Sequence, residues 1–168
     1  MTPSIARTQL TADYSIPKII NGGWQLATGH ALAHALDMKD AHNAFAELLD
    51  RGFDTFDCAD IYTGVEAFYG QIIAERRRAG LSLPQIHTKF VPDLKDLAHV
   101  DRTYVERVIE RSLSRLGVER LDMVQFHWWD YDVPGMIDTA GELMRLQEKG
   151  LIRCISCLLY TSPSPRDM

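Results

Sequence analysis

The chain has 168 residues and a formal net charge of −5, with 46% hydrophobic and 24% charged residues. This composition is typical of a globular domain, and the acidic balance disfavours nucleic acid as the main partner because it implies no basic surface. No apolar run approaches the ~20 residues that a membrane-spanning helix needs, and the first residues lack the features of a secretory signal. We therefore expect a cytoplasmic protein without a nucleic-acid or membrane partner, while its oligomeric state stays unknown.

Short apolar runs alternate with amphipathic helical patterns after the N-terminal segment, residues 1–16. The pattern predicts five strands, at Lys18–Gly22, Phe53–Phe56, Gln85–Lys89, Leu121–His127 and Leu151–Ser156. It predicts four helices between them, near Lys39–Arg51, Val65–Ala79, Asp101–Leu116 and Pro134–Lys149.

The ends of these helices carry their own signals. Asp101 can cap the third helix at its N-terminus, and Gly117 can end that helix in a left-handed turn. Pro134 is suited to the first turn of the fourth helix. The basic run Arg76–Arg78 ends the second helix, where cations favour the negative end of the helix dipole, and we expect it to be solvated.

The spacing of the predicted strands indicates the architecture. Strand starts recur at intervals of roughly 31 to 35 residues, the size of a βαβ unit, which predicts an α/β fold with a parallel sheet. An open doubly wound sheet and a (β/α)8 barrel both fit. The segment Asn21–Trp24 after the first strand lacks the Gly-x-Gly-x-x-Gly turn of dinucleotide folds, which favours the barrel. A barrel needs ~250 residues, so we expect a partial (β/α)8 TIM barrel of roughly four and a half units.

The last twelve residues do not continue this pattern. Residues 157–168 contain Pro163 and Pro165, which prevent a helix. The string also resembles the translation of a sequencing-library transposon adapter. We therefore expect residues 17–156 to be a truncated barrel domain and residues 157–168 to be a non-native tail.

Polar side chains stand at the C-terminal ends of the predicted strands, where barrel enzymes place their active sites. Asp57 and Tyr62 follow the second strand, Lys89 ends the third, and His127 ends the fourth. Taken singly, each could be a capping, packing or solvated residue. Together they indicate a site, because an unpaired Lys89 ammonium would be costly to bury and Asp57 is a suitable partner.

These residues resemble the signature of the aldo-keto reductase family. Asp57, Ala59 and Tyr62 are similar to its Asp-x-Ala-x-x-Tyr pattern, and the strand-terminal Lys89 and the pair His127–Trp128 also match. The resemblance spans residues 17–156. It implies an oxidoreductase that transfers hydride from NADPH to a small-molecule aldehyde or ketone, with Asp57, Tyr62, Lys89 and His127 as the catalytic residues.

The resemblance also implies the role of each residue. Tyr62 donates the proton in reduction, the Lys89 ammonium stabilises the tyrosinate, Asp57 holds Lys89, and His127 binds the carbonyl oxygen. Gly23, Trp24 and Asp57 are the expected cofactor contacts, and Trp24 and Trp128 are the expected walls of the substrate pocket.

Other interpretations stay open. The two tryptophans could be ordinary core residues. The chain could belong to a non-catalytic binding or regulatory subunit built on the same scaffold. A metal-dependent hydrolase could use His127 and Asp130, but no third ligand is evident in the sequence, so we expect no metal. The resemblance further implies that the later cofactor contacts lie beyond Ser156.

Overall fold

The structure is a computed structural model that describes residues 5–28 and 37–157. The strands in these residues are β1 Arg7–Thr11, β2 Tyr14–Pro17, β3 Asn21–Gly22, β4 Thr55–Asp57, β5 Gln85–Phe90, β6 Leu121–Phe126 and β7 Ile152–Cys157. The α-helices are α1 Met38–Asp50, α2 Val65–Arg78, α3 Arg102–Leu116 and α4 Met136–Glu148. Short 3₁₀ helices occupy Trp24–Leu26 and Leu94–His99.

Strands β3 to β7 form one sheet in which they follow each other in chain order, and every neighbouring pair is parallel. Helices α1 to α4 connect successive strands of this sheet. The order contains no reversal of direction, which a doubly wound sheet requires. The described residues therefore form part of a (β/α)8 barrel, as the sequence predicts.

The first predicted strand is much shorter than expected. Only Asn21–Gly22 pairs with β4, whereas the predicted strand began at Lys18. The Lys18 N–H donates to the carbonyl oxygen of Ala6, 2.9 Å away, so the chain is still extending the N-terminal hairpin at that point. Ile19 and Ile20 are exposed as a result.

An antiparallel hairpin of β1 and β2 lies within the segment for which the sequence predicts no element. It packs against the N-terminal ends of the sheet strands. Arg7 donates to Asp54 before β4 (3.0 Å), and the Tyr14 hydroxyl is 2.8 Å from His87 Nε2 in β5. The hairpin therefore closes one end of the partial barrel.

The hydrophobic core has two parts. The larger cluster fills the space between the sheet and the helices, with Phe56, Phe90 and Val124 among its most buried members. The smaller cluster lies under the hairpin and consists of Tyr14, Ile16, Met123 and Cys154.

The predicted helix ends are partly confirmed. The Asp101 carboxylate accepts the N–H of Tyr104, and Gly117 ends α3 in the left-handed region at φ 64°. Helix α4 begins at Met136, two residues after Pro134. The expectation for the basic run is wrong at Arg76, which is 8% exposed because it donates to the Ser82 carbonyl and the Asp50 carboxylate.

Two further predictions concern the last strand and the residues that follow it. Cys157 continues β7 by one residue beyond the predicted strand end, and residues 158–168 lie outside the described part of the chain. The non-native tail therefore stays a prediction. Within the residues that the structure describes, no helix has the length and apolar character needed to cross a membrane.

Candidate active site

The polar residues near the C-terminal ends of the strands lie on one face of the sheet. Side chains alternate between the two faces of a strand, and the register places Lys89 opposite Gln125 and Gln125 opposite Ser156. Asp57 pairs with His87, two residues before Lys89. One face of the sheet therefore carries Asp57, His87, Lys89, Gln125 and Ser156. The hairpin covers this face at the end nearest His87, and we call it the inner face.

Lys89 is the centre of this arrangement. Its Nζ lies 2.7 Å from each Asp57 carboxylate oxygen and 2.7 Å from the carbonyl oxygen of Cys58. Gln125 Nε2 donates to Asp57 Oδ1 at 2.9 Å. Because Lys89 is buried, these acceptors offset the cost of removing its charge from water. The structure thus places Asp57 and Lys89 in direct contact, as the sequence predicts.

Tyr62 lies against the same ammonium. The Lys89 Nζ is 4.9 Å from the centroid of the Tyr62 ring, within the range of a cation–π contact. A turn between β4 and α2 presents the ring, because the Tyr62 N–H donates to the Ala59 carbonyl and the Val65 N–H donates to the Tyr62 carbonyl. Asp57, Lys89 and Tyr62 therefore form one contact group.

His127 follows β6 and is fixed through its backbone, whose N–H donates to the Phe90 carbonyl at 3.0 Å. The side chain is buried, yet neither ring nitrogen has a hydrogen-bond partner among the described residues. Burial lowers the pKa of His127, which favours the neutral imidazole. A buried imidazole without partners can donate to a ligand oxygen.

The structure places the two predicted pocket tryptophans differently, one in the core and one half exposed. Trp128 is 2% exposed, packs against Phe126 in the larger core cluster, and donates from Nε1 to the Val133 carbonyl. Trp128 follows Phe126 by two residues, so strand alternation directs both to the helix side of the sheet. This placement supports core packing and gives no support to Trp128 as a pocket wall. Trp24 is half exposed in the 3₁₀ helix after β3.

Trp129 contacts the site although the sequence analysis assigned it no role. Its ring meets the His127 ring edge-on at a centroid distance of 4.3 Å. Its Nε1 donates to the Pro92 carbonyl at 2.7 Å, which joins the loop after β6 to the loop after β5. The signal that could have found it is again alternation, since Gln125, His127 and Trp129 are spaced by two.

Gly23 has a steric role that is visible in the structure. A Cβ at this position would lie 2.7 Å from the Tyr69 hydroxyl and 2.8 Å from the Asp57 carbonyl oxygen. The Gly23 N–H also donates to that carbonyl at 2.9 Å. Close packing against β4 and α2 therefore requires a glycine here, and its expected contact with a cofactor stays a prediction.

A concave pocket of about 480 Å³ opens on the inner face, between the sheet and the hairpin. Asp57, His87 and Gln125 line it on the sheet side, and Leu10 and Ile16 line it on the hairpin side. Burial lowers the pKa of His87 to about 4, the nearby Asp57 carboxylate opposes this shift, and the Lys89 ammonium adds to it. The pocket thus presents a neutral imidazole with the polar groups of Asp57 and Gln125 on the sheet side, and apolar side chains on the hairpin side.

Metal chemistry finds no support in the described residues. Within 5–28 and 37–157, no group of three or more His, Cys, Asp or Glu side chains could hold a metal ion. His127 and Asp130 therefore have no third ligand of these types within that part of the chain.

Comparison with known proteins identifies the scaffold. The model of the aldo/keto reductase family matches residues 18–162. The chain is 30% identical over 157 residues to aldo-keto reductase YhdN of Bacillus subtilis, covering 90% of this chain and 45% of that protein. It is also 30% identical over 143 residues to an aldo-keto reductase of Mycobacterium sp. (strain KMS), covering 84% of this chain and 45% of that protein. The chain thus spans less than half the length of these relatives.

Solved structures show the same fold. Aldo-keto reductase AKR11C1 from Bacillus halodurans, in its holo form, superposes with a TM-score of 0.70 at 24% identity, covering 92% of this chain and 51% of that one. Bombyx mori aldo-keto reductase AKR2E4, in complex with NADP, superposes with a TM-score of 0.70 at 23% identity, covering 91% and 50%. With the family match over most of its length, the chain belongs to the aldo/keto reductase family.

Proposed function

We propose that this chain is the N-terminal half of an NADPH-dependent oxidoreductase that reduces aldehydes or ketones and, in reverse, oxidises alcohols. One observation carries the proposal, namely the Lys89 ammonium held between the Asp57 carboxylate and the Tyr62 ring. This arrangement suits proton transfer by a phenol, and carbonyl reduction requires a proton for the developing alkoxide.

Each side chain has a distinct task in this proposal. Tyr62 donates the proton to the carbonyl oxygen in reduction and accepts it in oxidation. Lys89 stabilises the tyrosinate that remains, and Asp57 and Gln125 keep the ammonium in place. His127, whose ring nitrogens have no protein partner in the described residues, donates a hydrogen bond that orients and polarises the carbonyl group.

The described residues fit one side of a nicotinamide site. His127, whose buried ring nitrogens have no hydrogen-bond partner among the described residues, follows β6, and the half-exposed Trp24 follows β3. Both lie at the end of the sheet where barrel enzymes bind their ligands. Gly23, Trp24 and Asp57 would hold the nicotinamide end, and bound NADPH would supply the hydride. The assignment to NADPH rests on the family and on relatives described with NADP or NADPH.

The test uses Tyr62→Phe in the complete protein. Phenylalanine keeps the ring and removes the proton donor, so we expect turnover of an aromatic aldehyde to fall by at least ~10²-fold. NADPH binding, measured by fluorescence quenching, should stay close to that of the wild type. Tyr69→Phe is the matched control, because the buried Tyr69 hydroxyl has no hydrogen-bond partner among the described residues and should be dispensable.

Two results would contradict the proposal. Retention of more than about a tenth of wild-type turnover by Tyr62→Phe would exclude Tyr62 as the proton donor. NADPH binding by the complete wild-type protein, without turnover of any generic aldehyde, would instead indicate a non-catalytic binding subunit.

A further inference from the structure

Two buried carboxylates bracket Tyr62, and the mechanism proposed above uses neither of them. Asp60 lies two residues before Tyr62 and is 4% exposed. Glu66 lies four residues after it, in the first turn of α2, and is 1% exposed. Carboxylates are rarely buried so completely unless they are paired, so their partners indicate what holds this turn.

Asp60 ties the turn to the end of β5 and to α3. Its Oδ1 accepts the backbone N–H of Val91, just beyond β5, at 3.1 Å. Its Oδ2 lies 3.2 Å from Arg111 in α3. The Asp60 N–H also donates to the carbonyl oxygen of Lys89 at 3.3 Å. The start of the turn is therefore hydrogen-bonded directly to Lys89, whose ammonium faces the Tyr62 ring.

Glu66 makes the equivalent connection at the other end of the turn. Its Oε1 accepts the hydroxyl of Thr88, the neighbour of Lys89 in β5, at 2.8 Å. Its Oε2 lies 3.1 Å from Arg115, whose same Nη1 atom also donates to the Asp60 carbonyl at 3.0 Å. One guanidinium thus spans both ends of the turn that carries Tyr62.

The two arginines act from one face of α3, because positions four apart in a helix are neighbours. Burial, followed by the nearby Glu66 carboxylate, raises the pKa of Asp60 to about 7, whereas Arg111 opposes this shift. The Glu66 carboxylate therefore disfavours the charged form of Asp60, and Arg111 offsets part of that effect. The arginine side chains are 43% and 40% exposed and the two carboxylate side chains are 1% exposed, so each pair joins the buried turn to the partly exposed face of α3.

We propose that the pairs Arg111–Asp60 and Arg115–Glu66 set the position of Tyr62 relative to Lys89, so that these four side chains are positioning residues for the proton donor. The inference rests on the function proposed for Tyr62. It makes α3, which contributes no catalytic group, a determinant of the reaction rate.

The first experiment measures steady-state kinetics of the complete protein with Arg115→Met and with Glu66→Gln. Displacement of the Tyr62 ring should lower kcat by up to ~10²-fold, because misplacement of a reacting group by about 1 Å can cost that much. The Kd for NADPH should stay within about two-fold, since neither residue contacts the proposed cofactor site. Arg115→Lys restores the charge and should recover part of kcat.

Arg107→Met is the matched control, because Arg107 lies on the same helix, is exposed and contacts only the Tyr104 ring among the described partners. It should leave kcat and NADPH binding unchanged. Should Arg115→Met fail to fold, the near-isosteric Glu66→Gln and the charge-preserving Arg115→Lys still report on kcat.

A double-mutant cycle separates positioning from general stability. If Arg115 acts through Tyr62, then adding Arg115→Met to Tyr62→Phe should not lower the residual rate further, because the group being positioned is already gone. Additive losses in the cycle, or single variants whose kcat stays within about two-fold of wild type while Tyr62→Phe abolishes turnover, would overturn the positioning role alone. Full turnover by Tyr62→Phe would overturn the proposed function together with it.

Discussion

His87 is buried at the floor of the inner face, where its Nε2 lies 2.8 Å from the Tyr14 hydroxyl. An exposed histidine has a pKa near 6.5, whereas burial lowers the pKa of His87 to about 4. Below pH 6.5 the unfolded chain therefore binds a proton that the folded chain refuses. The stabilisation from neutral His87 is complete above pH 6.5 and is lost as the pH falls towards 4.

We expect this single group to make the free energy of unfolding fall by roughly 3 kcal/mol between pH 7 and pH 4. Urea unfolding of the complete protein at several pH values measures the change. Because the raised pKa of Asp60 acts in the opposite direction over the same range, the test is the difference from wild type: His87→Gln cannot titrate and should lack this fall, while His99→Gln, at an exposed position, should retain the wild-type profile. Identical slopes in all three proteins would show that His87 is not the responsible group.

The sequence could predict the contacts of some residues of the site and not those of others. The contact between Asp57 and Lys89 was predictable, because an ammonium ending an apolar strand needs a nearby acceptor. The packing of Trp128 against Phe126 and the position of Trp129 beside His127 were predictable from alternation, but the resemblance to the family motif led the expectation to Trp128. The arginine partners of Asp60 and Glu66 were not predictable, because they come from a helix about 50 residues further along the chain.

At the scale of elements, α2 and α3 approach each other so closely at Gly70 that no side chain fits at this position. A Cβ on Gly70 in α2 would lie 2.2 Å from the Arg115 carbonyl oxygen and 3.2 Å from the Leu116 backbone. Glycine costs a helix interior about 1 kcal/mol relative to alanine. The close contact between the two helices explains why the position tolerates that cost.

Gly70→Ala should therefore destabilise the protein, although alanine is the better helix former. We expect a loss of about 1–3 kcal/mol from overpacking, because the neighbouring atoms are backbone and must move with the helix. Gly141→Ala in α4 is the control, since nothing lies within 4 Å of its Cβ and it should be neutral or stabilising. Equal unfolding free energies for the two variants would disprove the steric explanation.

Two of the elements also show where the periodicity of apolar residues fails to predict a strand correctly. The four helices and β5 to β7 follow from their periodicity, and their ends lie within two residues of the predicted ones. The hairpin was missed because its strand β1 is exposed along its whole length, so no alternation of apolar residues marks it. Strand β3 was overestimated because the exposed Ile19 and Ile20 look like a buried run in the sequence.

At the scale of the whole molecule, the described sheet has two open edges. Strand β3 pairs only with β4 and β7 only with β6 among the strands of this sheet. Helix α4 also exposes Ile137 and Met144, seven residues apart on one face. Unpaired strand edges and exposed apolar side chains both promote association between chains.

We therefore expect residues 1–157, expressed alone, to self-associate, and we expect the remaining strands and helices of a complete barrel to cover these surfaces. Light scattering and size-exclusion chromatography compare the two. Substituting Ile137→Glu together with Met144→Lys in the shorter chain should reduce association if the α4 surface contributes. A monomeric shorter chain that unfolds cooperatively would contradict the expectation.

The hairpin that closes the barrel end has a consequence for the order of folding. It forms from adjacent residues, so it can fold as soon as the first part of the chain is synthesised. Its attachments, however, are made to β4, to β5 and finally to Arg153, which lies 140 residues after Asp13. Each attachment closes a longer loop at a larger entropic cost. The hairpin therefore completes its docking only when β6 and β7 are in place, because Met123 and Cys154 complete the cluster that covers Tyr14 and Ile16.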